Sequence, residues 1–135
     1  MDNCKFCRIL NKEIPSRIVY EDEDVIALLP KEVEVYGHTL VIPKAHYESL
    51  YDTPDEMLGK LTVVAKQLAI QYQKTIGATW SNLMHAAGKD GQQSVPHFHY
   101  HLLPRFKDDG LDTWPKLTHL QADKDIMLKR LRWEA

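Results

Sequence analysis

The sequence is poor in cysteine and has no long apolar run, and both absences narrow what the chain can be. Only two of its 135 residues are cysteine, too few for the disulfide framework of a small secreted protein. No apolar stretch approaches the ~20 residues of a membrane span, and the first residues are acidic and polar where a signal peptide needs an apolar segment. We therefore expect a cytoplasmic protein without a membrane partner.

The chain also carries little net charge. Its 17 Lys and Arg residues are balanced by 19 Asp and Glu residues, which gives a formal net charge of -2. No electrostatic argument therefore favours a nucleic-acid partner. Hydrophobic residues at 44% and charged residues at 27% are typical of a globular protein. We predict one domain over residues 1–135, with a core of residues 4–105 and a C-terminal helical extension over residues 106–135.

Three histidines alternate with apolar residues near the C-terminal third of the chain, in the segment 95–103. Alternation of this kind predicts a β-strand, because successive side chains point to opposite faces. The two faces would carry His97, His99 and His101 on one side and Phe98, Tyr100 and Leu102 on the other. Pro96 and Pro104 are expected at the ends of this strand. Three imidazoles on one face are more than packing requires, so we interpret them as a functional cluster.

Three helices are predicted from capping residues and periodicity. A short helix runs from Cys4 to about Lys12, with Asn3 as its cap. A long helix starts at Thr53 as cap with Pro54 in the first helical position, and Gly77 ends it. Its apolar stripe is Leu58, Leu61, Ala65, Leu68, Tyr72 and Ile76. A C-terminal helix is predicted over Lys124 to Trp133.

Five short β-rich runs lie between these helices. They are Ile18–Tyr20, Val25–Leu29, Thr39–Pro43, Trp80–Ala86 and His97–Leu103. The predicted fold class is therefore α+β: a mainly antiparallel five-stranded sheet with one long helix and shorter N- and C-terminal helices.

The two cysteines are three positions apart, which suits a metal half-site or a redox pair. Redox catalysis is the weaker interpretation, because no strand precedes Cys4 as in a thioredoxin-like unit. Zinc needs four ligands, and His46 and His97 could complete a Cys2His2 set with Cys4 and Cys7. The alternative is that both thiols only pack a short helix as small apolar groups.

The run His-Phe-His-Tyr-His-Leu-Leu over residues 97–103 resembles the signature of the histidine triad family. Four other segments fall where that family places them: Cys4–Ile9, Glu13–Ser16, Gly37–His46 and Gln93–His97. The resemblance covers most of the chain. It implies the histidine triad fold, the zinc-containing bacterial branch with Cys4, Cys7, His46 and His97 as structural zinc ligands, and a homodimer.

The resemblance also implies a reaction. His99 would attack the α-phosphorus of a nucleotide derivative, and water would then release a nucleoside monophosphate. A neutral histidine whose Nδ1–H is held by an acceptor presents a basic Nε2, which is a good nucleophile at neutral pH. His101, Gln93 and Ser94 are the candidates for binding the phosphoryl oxygens or the leaving group. His38 is expected beside the triad, where it would help to fix the protonation state.

Two positions depart from the family pattern. Pro30 stands where the family usually has an aspartate that grips the ribose, and Ala86 stands where it usually has an asparagine. A nucleotide-binding or zinc-stabilised interaction module with little turnover is therefore the alternative function. A hydrolase in which all three triad histidines hold one ion is disfavoured, because they would spread over ~13 Å of a flat strand.

Overall fold

The computed structural model describes residues 3–134, so the predicted domain limits Met1 and Ala135 lie outside the described residues. Three helices and five strands are found in that range. In chain order they are α1 (Lys5–Leu10), β1 (Arg17–Glu21), β2 (Val25–Leu29), β3 (Thr39–Pro43), α2 (Asp55–Thr75), β4 (Trp80–Met84), β5 (Tyr100–Arg105) and α3 (Lys124–Leu131). The predicted α+β class is confirmed.

The strands form one sheet in the order β1-β2-β3-β5-β4. Every neighbouring pair is antiparallel, as predicted for most of the sheet. β1 and β4 are the edge strands, while β3 and β5 lie side by side in the interior. Because the histidine-rich segment runs into β5, this order brings that segment close to the residues around β3.

The sheet is covered on both faces. Leu61, Val64, Ala65 and Leu68 of α2 are buried against Val25, Ala27, Val41, Phe98 and Leu102. Most of the predicted apolar stripe of the long helix therefore faces the core. The alternate residues of β2 and β3, including Ile26 and Ile42, pack instead against Phe6 and Ile9 of α1. Since side chains alternate along a strand, α1 and α2 lie on opposite faces.

The predicted N-terminal caps of α1 and α2 are wrong, whereas Gly77 directly follows the C-cap of α2 with a φ of +72°, as predicted for the end of this helix. Cys4 caps α1 in place of Asn3, because its Sγ accepts the Cys7 N–H at 3.4 Å. Pro54 is the N-cap of α2 and makes no side-chain cap. The buried Thr53 hydroxyl donates instead to the Ser49 carbonyl at 2.6 Å, so the preceding loop uses the group that we expected at the helix start.

The last predicted strand begins three residues too early. The His97 N–H donates to the Val95 carbonyl and the Phe98 N–H to the Tyr47 carbonyl, so neither is available to a neighbouring strand. β5 then continues through Pro104 to Arg105. Pro104 is tolerated because it pairs only with Ser81 of β4, beyond the end of the β3 pairing at Leu102.

Where the ends of the other helices and strands differ from the predicted ends, the difference is one or two residues. α1 stops at Leu10, β4 stops at Met84 and α3 stops at Leu131, each before its predicted end. α3 has no buried residue. Among residues 3–134, no helix combines the length and the apolar character that crossing a membrane requires.

Candidate active site and metal centre

Four predicted metal ligands meet at one point of the structure. α1 supplies Cys4 at its cap and Cys7 one turn later, His46 follows the end of β3, and His97 precedes β5. Their ligand atoms all lie within 4.8 Å of one another. Cys4 and His97 are buried, whereas Cys7 and His46 are half-buried.

The distances within this cluster suit a tetrahedral ion. His97 Nδ1 lies 3.4 Å from Cys4 Sγ, 3.6 Å from Cys7 Sγ and 3.0 Å from His46 Nδ1. Cys7 Sγ lies 3.3 Å from His46 Nδ1. Tetrahedral zinc with bonds of ~2.3 Å to sulfur and ~2.0 Å to nitrogen separates its S and N ligands by roughly 3.5 Å. The donor set and its spacing therefore fit zinc. Only the distance between the two nitrogens would have to increase slightly when the ion binds.

The protonation of the ligands also suits a cation. His97 Nε2 donates to the Pro43 carbonyl at 2.9 Å, which leaves the Nδ1 lone pair facing the cluster. Burial lowers the pKa of His97 to about 4, so the ring is neutral near pH 7. Burial raises the pKa of the Cys7 thiol to about 11. Metal binding must therefore displace the Cys7 proton, as is usual for thiolate sites.

A cavity of about 600 Å³ adjoins the half-buried side of the cluster. Cys7 and His46 line it together with Arg8, Lys44 and other residues. An ion can thus reach two of the four ligands from solvent. The cavity does not include the histidines at positions 99 and 101.

His99 lies next to the cluster and is held in one tautomer. Its Nδ1 is 2.8 Å from the carbonyl oxygen of His97, so Nδ1 carries the proton and Nε2 keeps its lone pair. Burial lowers the pKa of His99 to about 4, which outweighs the opposing effect of this hydrogen bond. The imidazole is therefore neutral at physiological pH, the state that a nitrogen nucleophile needs.

His38 and His101 form a second imidazole pair. The Glu34 N–H donates to His38 Nδ1 at 3.1 Å, so the His38 proton sits on Nε2 and is donated to His101 Nδ1 at 3.0 Å. His101 must then carry its own proton on Nε2. Burial lowers the pKa of both rings. At Nε2, His101 consequently has an N–H donor, whereas His99 has a lone pair. The centroids of the two rings are 4.9 Å apart.

The loop before the triad is shaped by glycine and by Gln93. Gly88 has a φ of +73°, and a Cβ at Gly91 would clash with the Ala87 carbonyl. The Gln93 amide accepts from the Gly88 N–H at 2.8 Å and donates to the carbonyls of Val95 and Glu48. Ser94 is exposed beside it. Gln93 therefore braces the loop in this structure, which leaves Ser94 as the more accessible polar side chain.

Two residues of this region were not singled out from the sequence. Phe6 is buried and makes edge contacts with the rings of His97 and His99, at centroid distances of 5.7 and 5.1 Å. His85 contacts the backbone of His99 through its Nδ1 at 3.1 Å. Phe6 lies between the two cysteines, which is the only sequence signal for it. Nothing in the local sequence pattern indicates the His85 contact.

Comparison with known proteins adds an independent observation. A sequence model of the HIT domain matches residues 11–108. An uncharacterized HIT-like protein from Methanocaldococcus jannaschii is 40% identical over 107 residues, which cover 79% of this chain and 82% of that protein. The adenosine 5'-monophosphoramidase of Saccharomyces cerevisiae is 39% identical over 114 residues, which cover 83% of this chain and 70% of the yeast protein.

A solved structure is similar as well. The zinc-bound histidine triad family protein from Mycobacterium smegmatis superposes with a TM-score of 0.80 at 34% identity. The match covers 83% of this chain and 81% of that chain. The fold and the presence of zinc in a relative thus agree with the cluster described above.

Proposed function

Since the chain belongs to the HIT domain family, as the segment 97–103 predicted, we propose that it is a hydrolase of nucleotide derivatives that works through a nucleotidyl-histidine intermediate. The observation that carries this proposal is that two adjacent neutral imidazoles, His99 and His101, carry their protons on different ring nitrogens. His99 offers a lone pair at Nε2, whereas His101 offers a proton at Nε2. A phosphoryl transfer site needs one nucleophile and donors for the phosphoryl oxygens, and this pair supplies both.

In the first step, His99 Nε2 forms a bond to the α-phosphorus while the bond from phosphorus to the leaving group breaks. His101 Nε2–H donates to a non-bridging oxygen, where negative charge gathers. Ser94 is the candidate to deliver a proton to the departing amine or alcohol. In the second step, water attacks phosphorus and returns a proton to Ser94 while the P–N bond to His99 breaks, which releases the nucleoside monophosphate and restores both side chains. The substrate class is a nucleoside phosphoramidate or a dinucleotide, of which the yeast relative's name supports the former.

The second proposal concerns the metal. Zinc held by Cys4, Cys7, His46 and His97 would stabilise the fold and add no open coordination position for chemistry. The cluster geometry and the zinc-bound relative support it. A triad that shares one ion is not favoured, because the three rings make different contacts: His97 Nε2 with Pro43, His99 Nδ1 with the His97 carbonyl, and His101 Nδ1 with His38.

A homodimer is the third part of the proposal. β4 is an edge strand, and it exposes 79% of Trp80 and 42% of Leu83. Neighbouring α2 exposes Val63 and Ile70 on its outer side. An uncovered edge with apolar side chains favours pairing with another strand, and a second copy of the chain offers the same edge.

An interaction module with little turnover is the alternative function. Two observations favour it: His99 is only 3% exposed, and Pro30 and Ala86 replace polar residues of the family pattern. Such a module would bind a nucleotide but form no covalent intermediate.

The decisive experiment compares wild type, His99→Ala and His119→Ala with an adenosine phosphoramidate as substrate. We expect His99→Ala to lose at least ~3 kcal/mol of transition-state stabilisation, a roughly 150-fold fall in kcat/KM. His119 is exposed and lies far along the chain in the C-terminal extension, so its replacement controls for loss of an imidazole. Rapid quenching and mass spectrometry should find the nucleotidyl adduct on a peptide that contains His99. Near wild-type turnover by His99→Ala would remove His99 from the nucleophile role, and binding without any adduct would favour the interaction module.

A further inference from the structure

His85 lies directly after the end of β4 and uses both of its ring nitrogens. The Leu50 N–H donates to His85 Nε2 at 3.1 Å. The proton of this ring must therefore sit on Nδ1, which donates to the carbonyl oxygen of His99 at 3.1 Å. The two contacts fix a single neutral tautomer, and the ring bridges two segments that are far apart in the sequence.

The plane of the ring is fixed as well. His85 stacks on Phe98, with ring centroids 4.4 Å apart and an interplanar angle of 21°. Phe98 belongs to the core against α2 and is fully buried. Stacking on an immobile ring leaves His85 little freedom to turn away from the His99 carbonyl.

The loop over residues 47–50 makes two further hydrogen bonds to the segment 93–98. The Tyr47 carbonyl accepts the Phe98 N–H at 2.6 Å, and the Glu48 carbonyl accepts from the Gln93 side chain. Two hydrogen bonds thus fix the backbone of Phe98 and His99. The Phe98 N–H donates to the Tyr47 carbonyl, and the His99 carbonyl accepts from His85. His99 itself lies just before β5, where ladder hydrogen bonds have not begun.

We propose that His85 is a positioning residue for the nucleophile. It contacts no substrate in this scheme, and its hydrogen bond to the His99 carbonyl takes the place of the sheet hydrogen bond that this segment lacks. The orientation of His99 Nε2 then depends on two contacts, the His97 carbonyl at Nδ1 and the His85 ring at the backbone. The inference rests on the proposed nucleophilic role of His99, but the geometry that it invokes can be tested without turnover.

Three variants separate the hydrogen bond of His85 to the His99 carbonyl from its stacking on Phe98. His85→Phe keeps an aromatic ring for stacking on Phe98 and removes both hydrogen bonds. His85→Asn places an amide N–H near the position of Nδ1, so it can still donate to the His99 carbonyl. His119→Phe is the matched control, since it makes the same replacement at an exposed histidine of the C-terminal extension.

The kinetic result that we expect is a fall in kcat of about 10-fold or more for His85→Phe, with KM within about twofold of wild type. His85→Asn should recover kcat to within about threefold of wild type. His119→Phe should match wild type in both constants. Equal kcat for His85→Phe and wild type would overturn the proposal, and so would equal losses in His85→Phe and His85→Asn.

A spectroscopic measurement keeps the test independent of activity. Nitrogen-15 NMR of the histidine rings should show His99 protonated at Nδ1 in wild type and in His85→Asn. In His85→Phe we expect a mixture of tautomers or exchange broadening at His99, while the melting temperature reports any general loss of structure. If wild type itself shows no turnover, the proposed function fails, and the His99 tautomer in His85→Phe still decides the positioning role. An unchanged His99 spectrum in His85→Phe would refute it.

Discussion

At the scale of single residues, the histidines of this protein differ in protonation although they share one side chain. His97 keeps its proton on Nε2 because the Pro43 carbonyl lies there, and His99 keeps its proton on Nδ1 because the His97 carbonyl lies there. The lone pair of His97 therefore lies on Nδ1, as the proposed zinc site requires, and that of His99 lies on Nε2, as the proposed nucleophile requires. A backbone carbonyl decides each role.

Burial of neutral histidines predicts how stability depends on pH. Burial lowers the pKa of His38 and of His101 below the ordinary value of 6.5, so the unfolded chain binds more protons than the folded chain just below that pH. The free energy of unfolding should therefore fall as the pH drops below about 6.5. Urea denaturation at pH 7.5 and pH 5.5 measures this slope.

The variant His38→Asn/His101→Asn should weaken this pH dependence, because it removes two groups that must stay neutral in the fold. Replacement of the exposed His119 by Asn is the control and should leave the slope as in wild type. A double variant with an unchanged slope would show that these two rings do not stay neutral on folding.

Pro30 leads to a prediction about the substrate sugar. It follows β2, at the place where the family pattern has a ribose-binding aspartate, and it offers no carboxylate. Discrimination against an analogue depends on buried polar groups that are left unpaired. We therefore expect ribo- and dideoxy-nucleoside phosphoramidates to be hydrolysed with kcat/KM values within about tenfold, a difference below ~1.4 kcal/mol.

The variant Pro30→Asp should widen that ratio in favour of the ribonucleotide. Pro30→Ala is the matched control, because it also removes the ring but adds no carboxylate. If wild type already prefers the ribonucleotide by several hundredfold, another acid performs this function, and the exposed Glu32 and Glu34 are the first to replace.

At the scale of elements, α1 is too short to be stable by itself. Its six residues fall well below the ~12–15 that an isolated helix needs in water. Two kinds of contact hold it: Phe6 and Ile9 are buried against the sheet, and Cys4 and Cys7 meet His46 and His97. A metal at this cluster would therefore stabilise α1, whose Phe6 packs against the His99 ring.

Removal of the metal should thus lower stability. Purified protein should contain about one zinc per chain by elemental analysis. At free zinc 100-fold above the dissociation constant, binding contributes ~2.7 kcal/mol to the free energy of unfolding, and this amount should be lost with a chelator. Cys4→Ser should release the metal and should no longer respond to the chelator.

The control for the zinc experiment is Ser49→Ala, which alters another buried small polar residue outside the cluster. It should retain the metal and the response to chelator. A wild-type protein without metal, or with a melting temperature that ignores the chelator, would contradict the four assigned ligands.

At the scale of the whole molecule, the sheet leaves two edges open. β1 and β4 are those edges, and β4 has the larger exposed apolar side chain, Trp80. The C-terminal extension adds further exposed apolar residues, among them Trp114 and Trp133. Trp80, Trp114 and Trp133 are thus each exposed over more than three quarters of their surface.

Charge placed on the β4 edge should weaken the proposed homodimer. Leu83→Asp puts an unpaired carboxylate on this strand, so we expect the sedimentation coefficient to change from dimer to monomer in the low micromolar range. Ile18→Asp makes the same replacement on the β1 edge, where the side chain is 51% exposed, and should leave the dimer intact. A monomeric wild type would refute the dimer, and dissociation by Ile18→Asp alone would move the interface to β1.

Local patterns sufficed for the helices and strands and for the choice of candidate site residues. Alternation at residues 97–103, the stripe at Leu61, Ala65 and Leu68, and the pair Cys4 and Cys7 are all visible within a few positions of the chain. Such patterns report which face of an element is apolar, and the antiparallel sheet with one long helix follows from them.

The sequence alone thus determined the α+β class and the five strands, because side-chain period is a local property. Tertiary structure decided the start of β5 and the positions of the ring protons of His97 and His101. Those depend on partners remote in the chain: His97 meets Pro43 54 positions away, and His38 meets His101 63 positions away. A hydrogen bond between distant segments exists only after the sheet has formed, so no local pattern contains it.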